Sequence, residues 1–207
     1  LPRLKSRART TMVRNEASVF LRATLILNNY VFNKKYSGVK GNFYPVIFTD
    51  LDGSLLDHHS YSNDAASSLL QLLELHKLPV IAVTSKTASE VIPLREHLKN
   101  KHPFVVENGA AIYIPKEYFS ENLNIKNRNV VDEYIRISEA PSRDHWRKVL
   151  RDFGDKYSKE FRSFSDIFNQ DGASGISKVT KLSLRSAENA NKREYTEPVI
   201  WEGTEQR

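Results

Sequence analysis

The chain has 207 residues, 40% of them hydrophobic and 27% charged, a balance that fits a folded protein of one domain, or a modest core with a second small unit. It has no cysteine, which excludes disulfides and thiolate metal sites. No apolar run approaches the roughly 20 residues of a membrane-spanning helix, so a soluble, cytoplasmic protein is expected, and the net charge of +6 sits mainly in residues 1–44.

Those first residues carry nine Lys/Arg against one acid, Glu16, and the rest of the chain is nearly neutral. They read as a basic leader, either an upstream extension or a disordered tail. A transit peptide or a nucleic-acid arm has the same signature. Charge alone gives only non-specific nucleic-acid binding, so no specific nucleic-acid partner is expected.

Val46-Ile47-Phe48 opens the ordered part as an apolar run, predicting a buried parallel strand over 46–50. Thr49-Asp50-Leu51-Asp52-Gly53-Ser54-Leu55-Leu56 follows directly. Two aspartates two apart at a strand end are costly to bury without a cation or a partner. Open α/β folds place ligands at that end of the strand. Asp50 is the candidate nucleophile, because a carboxylate can attack phosphorus and divide a hard hydrolysis into two easier steps. Asp52 is the candidate acid/base. Mg²⁺ is the expected cofactor, with Asp50 and Asp52 as candidate ligands, since hard cations prefer oxygen. The bland alternative is an aspartate-rich turn. His58-His59 come next and are read as bordering the pocket.

Asn63 or Asp64 can cap a helix running to about residue 76. A second strand is expected over 78–83, ending in Thr84-Ser85-Lys86. A hydroxyl and an ammonium at that strand end suit phosphate binding, by Thr84, Ser85 and Lys86; an ordinary helix cap is the competing reading. Thr87 can cap a helix over 87–99, which Pro93 should kink or restart. The third strand, 104–106, runs into Glu107-Asn108-Gly109, a hairpin-turn signal, with Asn108 a candidate at the pocket edge. A returning strand over 110–114 ends at Pro115. The alternation of strands and helices predicts α/β architecture on a parallel sheet.

Residues 116–129 read as a polar linker, 130–138 as a half-exposed strand and 141–157 as an amphipathic helix carrying Trp146, Val149, Leu150, Phe153 and Tyr157. A weak helix over 174–192 and a strand over 195–201 complete a small α+β unit. Between them lies Arg193-Glu194-Tyr195-Thr196-Glu197-Pro198. Arg193 can bind a carboxylate or phosphate bidentately, and Glu194 or Glu197 can accept from sugar hydroxyls. Read on its own, the segment favours a solvated helix end running into an edge strand.

Taken together, these motifs resemble the haloacid dehalogenase-like phosphatases, and among them the mannosyl-3-phosphoglycerate phosphatase family. Asp50 to Asp57 resembles the first motif, with Ser54 where threonine is usual. Thr84-Ser85-Lys86-Thr87 and Glu107-Asn108-Gly109-Ala110-Ala111-Ile112 resemble the next two signatures. Arg193-Glu194-Tyr195-Thr196-Glu197-Pro198 resembles the branch's cap segment. The resemblance implies a Rossmann-like core over 45–115 with an inserted C2-type α+β cap over 116–207. It implies a Mg²⁺-dependent phosphomonoester hydrolase acting on a small sugar phosphate, 2-O-mannosyl-3-phosphoglycerate. Arg193, Glu194, Thr196 and Glu197 would read the sugar and glycerate. The family also needs a lysine and an acidic motif beyond the cap, and no such segment precedes Arg207. A truncated chain with weak or absent activity, an incomplete sheet and exposed strand edges is therefore expected. A phosphatase for another sugar phosphate, or a remnant that binds without turnover, stays open.

Overall fold

The computed structural model describes residues 46–56, 64–119, 126–157 and 160–203. The basic leader and His58-His59 lie outside the described residues. No described helix is long and apolar enough to cross a membrane. The chain divides into two compact units, Leu1–Ser85 with Glu96–Ser138, and Lys86–Arg95 with Glu139–Arg207.

The first unit is built on β1 (Ile47–Thr49), α1 (Asp64–Leu75), β2 (Val80–Val83), β3 (Phe104–Val106), β4 (Ala111–Pro115), β5 (Arg128–Val131) and β6 (Tyr134–Ser138). These strands form one sheet in the order β1-β2-β3-β4-β6-β5. The first three are parallel, with Thr49 opposite Ala82 and Val83 opposite Val105. β3 to β5 pair antiparallel. The sheet is therefore mixed: the parallel part follows the strand–helix alternation, and the hairpins need only tight turns.

Side chains alternate across the sheet. Ile81, Val105, Ile112, Ile114 and Ile137 fill one face, joined by Val46, Phe48 and Val83. Phe104, Tyr113 and Tyr134 fill the other, with Phe104 and Tyr113 stacked at 5.2 Å and Tyr134 edge-on to Phe104 at 5.5 Å. Each such buried side chain is worth about 1.5–3 kcal/mol.

The sheet does not stop at Pro115. β6 pairs with β4 along its whole length, Ala111 opposite Ser138 through Pro115 opposite Tyr134. The compact unit that holds this sheet runs to Ser138. The single strand expected over 130–138 is instead a hairpin, turning at Asp132 with φ 48°.

The second unit holds most of α2 (Ala88–His97), then α3 (Arg143–Tyr157), β7 (Phe161–Ser163), α4 (Phe164–Thr180), α5 (Leu184–Asn191) and β8 (Val199–Trp201). α2 runs through Pro93 as one helix. Its first turn is secured by a reciprocal cap: the Glu90 N–H donates to Thr87 Oγ1 at 3.2 Å and the Thr87 N–H to Glu90 Oε2 at 2.8 Å. Phe164, Ile167, Ile176 and Ala187 form the core between α4 and α5, and β7 pairs antiparallel with β8. The helix expected over 174–192 is two helices. α4 starts ten residues earlier, on a Ser163–Asp166 capping box, and ends where Lys181 turns left-handed at φ 67°. Ser183 then caps α5. The strand expected over 195–201 is only the three residues of β8.

Candidate active site

Parallel strands leave their carboxyl ends on one edge of a sheet. Asp50, Thr84 and Glu107-Asn108 each follow the last residue of a parallel strand, so the topology of the first unit gathers them at that edge.

The aspartate loop is closed by its own backbone. The Leu56 N–H donates to the Leu51 carbonyl at 2.9 Å, and the Gly53 N–H to the Leu56 carbonyl at 2.9 Å. Leu51 and Leu56 are both buried and pin the loop to the core. Gly53 has φ 75°, a left-handed conformation that other residues adopt at a cost. The apolar residues of the motif thus anchor it and the glycine lets it turn. Asp50 is exposed, and its Oδ1 accepts the Leu51 N–H at 2.7 Å, which orients the carboxylate. Asp52 is half-buried with Oδ1 shielded from solvent.

The other two strand ends are tied together. The Thr84 N–H donates to the Val105 carbonyl at 3.1 Å and the Asn108 N–H to the Thr84 carbonyl at 3.0 Å. Thr84 is buried, Ser85 exposed and Lys86 half-buried. Lys86 groups with the second unit, so the compact units divide directly after Ser85. Asn108 is exposed and sits in a short 3-10 turn that closes the β3–β4 hairpin. Glu107, Asn108 and Gly109 have φ of 50°, 58° and 93° in succession. A buried Glu107 held left-handed is strained, and such strain concentrates at functional sites.

In the second unit, Arg193 donates from Nη1 to Thr196 Oγ1 at 2.8 Å, with its guanidinium 6.0 Å from the centre of the Phe164 ring. Glu194 is exposed. Glu197, expected to meet sugar hydroxyls, is instead wholly buried at its side chain. It accepts from Arg143 Nε, from the Ser165 N–H at 2.7 Å and from the Ser165 hydroxyl at 3.0 Å. Sequence reasoning missed Arg143 and Ser165 entirely, because no local pattern marks a partner that far off in the chain. It also missed the cluster of His102, Glu74 and Tyr118 in the first unit, linked by 2.9 Å contacts through both ring nitrogens.

Asp50 and Asp52 form an all-oxygen donor set. Mg²⁺ is commonly held by one or two carboxylates together with substrate phosphate and water, so this pair fits it. Among the described residues no group of three or more His, Asp or Glu is arranged to hold a metal.

Comparison with known proteins finds relatives of this chain. A 42% identical relative over 152 residues is the glucosyl-3-phosphoglycerate/mannosyl-3-phosphoglycerate phosphatase of Methanococcoides burtonii, matched over 73% of this chain and 54% of the relative. A protein of the same name from Persephonella marina is 38% identical over 159 residues, 76% of this chain and 55% of the relative. The chain thus spans about half the length of these curated relatives. Among solved structures, a haloacid dehalogenase-like hydrolase from B. subtilis is similar at a TM-score of 0.40 and 17% identity, over 71% of this chain and 50% of that one. Residues 47–189, from β1 through α5, match the family described as haloacid dehalogenase-like hydrolase. With the aspartate loop and all three parallel strand ends inside that span, the chain belongs to the haloacid dehalogenase-like hydrolases.

Proposed function

We propose that this chain carries the phosphoryl-accepting part of a phosphomonoester hydrolase whose substrate is mannosyl-3-phosphoglycerate, giving mannosylglycerate and phosphate. The observation that carries the reading is the Asp50 carboxylate, exposed and oriented at a parallel strand end, with Asp52 two residues on in a loop closed by Leu51 and Leu56. The substrate follows the names of the two curated relatives.

In this reading an Asp50 oxygen attacks phosphorus as the ester P–O bond breaks, and Asp52 gives a proton to the departing sugar-acid oxygen. Asp52 then takes a proton from water as that water attacks the aspartyl-phosphate, releasing phosphate and restoring Asp50. Thr84 and Ser85 donate to the phosphoryl oxygens, Lys86 offsets their charge, and Asn108 lines the edge of the pocket. Asp50 and Asp52 would hold Mg²⁺, which when bound would neutralise charge between the phosphate and the two carboxylates. The second unit serves as the cap, with Arg193, Glu194 and Thr196 reading the sugar and glycerate.

Phosphate release from mannosyl-3-phosphoglycerate tests this. Slow, Mg²⁺-dependent release that drops at least about a thousandfold in Asp50→Asn is expected, as for loss of a nucleophile. Release that persists in Asp50→Asn would remove the nucleophile from the scheme. A binding protein without turnover is the second reading. It predicts sugar-phosphate binding with no phosphate released by the wild-type chain. Comparable turnover on other sugar phosphates would replace the substrate and leave the chemistry intact.

A further inference from the structure

Arg143 is half-buried at the start of α3, and its donors converge on one short segment of chain. Its backbone N–H donates to the Glu194 carbonyl at 2.6 Å. Its Nε donates to Glu197 Oε2, its Nη1 to the Asn191 carbonyl, and its Nη2 to Asn191 Oδ1 at 2.9 Å. The guanidinium side chain is 14% exposed and the Glu197 side chain 0%. Glu197 passes the connection to the first turn of α4 through the Ser165 N–H and hydroxyl. One arginine therefore clamps residues 191, 194 and 197, fixing the segment that presents Arg193, Glu194 and Thr196.

A planar guanidinium suits this task. Its fork offers several donors in fixed directions, and the bonds that a buried carboxylate accepts from it and from a helix N-terminus offset the cost of desolvation. The same bonds remove Glu197 from contact with a ligand, since a side chain wholly buried on two partners has no face to offer.

We propose that Arg143 is a positioning residue for sugar recognition, and that Glu197 is the strut through which it acts and not a ligand contact. This rests on the sugar-phosphate reading above. Arg143→Lys keeps the charge but cannot serve Nε and both terminal nitrogens at once. Titration calorimetry on the full chain, with mannosyl-3-phosphoglycerate and separately with inorganic phosphate, each with Mg²⁺, reads the effect. Arg143→Lys should weaken the sugar phosphate roughly tenfold, a size carried by packed networks, and leave inorganic phosphate within about twofold. Glu197→Gln should weaken it similarly. The double variant should lose little more than either single one, because both remove the same strut.

Additive losses would place Glu197 on the ligand and overturn the assignment. Equal affinity for the sugar phosphate in wild type and Arg143→Lys would overturn it as well. If Arg143→Lys does not fold, Ser165→Ala provides the same test: it removes only the hydroxyl bond, and a loss of about two- to fivefold confined to the sugar phosphate is expected. No change there counts against the strut. If the wild-type chain binds neither ligand, the Asp50 phosphate site fails and takes this proposal with it. Phosphate binding with no discrimination among the variants defeats this proposal alone.

Discussion

Burial, and secondarily the Glu74 carboxylate, push the Tyr118 phenol from 10.0 to about 12. Its hydroxyl lies 2.9 Å from His102 Nδ1, whose other ring nitrogen meets Glu74 at 2.9 Å. The unfolded chain releases this proton first as pH rises. The contribution is therefore fully present below about pH 10 and is lost as pH climbs towards about 12. Denaturation midpoints of wild type and Tyr118→Phe, measured in steps across that window, should converge as pH rises. Parallel curves would mean that the phenol titrates alike in both states. Tyr118 was invisible to sequence reading because its environment is assembled by tertiary contacts, whereas the aspartate pair stands out in the sequence itself, directly after an apolar run. Glu197 lies between these cases. Its chemistry fits sugar recognition, but its partner Arg143 stands 54 positions earlier and claims it.

Elements were legible where hydrophobic runs alternated with helical periods, which covers β1, α1, β2, α2 and β3. They were less so where a break depends on one backbone angle. α4 changes direction at Gly172, with φ 61° and ψ −153° inside the helix. That region of backbone space is essentially reserved for glycine. The capping box at Ser163 and Asp166 sets the start of the helix, and it uses aspartate where the commoner pattern has glutamate, so the start escaped notice. Nothing stands within 4 Å of a Cβ built at Gly172, so space does not oppose a substitution there. Gly172→Ala should nonetheless cost about 1–3 kcal/mol through backbone strain alone, read as a lower urea midpoint with an unchanged slope. An unaltered midpoint would show that the two helical segments can straighten into one.

At the scale of the whole molecule, the pairing of β4 with β6 was not legible, because it is decided by register between distant segments. Among the described residues, β1 stands last in the strand order, with Ile47–Thr49 half-buried. On α1, Leu69, Leu72 and Leu75 are 56%, 50% and 77% exposed. Leucines three apart on a helix lie close together, so they form an apolar patch and not scattered single residues. An apolar helix face of this kind favours association between copies. The chain should therefore self-associate with rising concentration. Leu72→Gln with Leu75→Gln should reduce light scattering at equal concentration while shifting stability by less than about 1 kcal/mol, because neither side chain contributes much to the core. Unchanged scattering in the double variant would rule out this face as the cause.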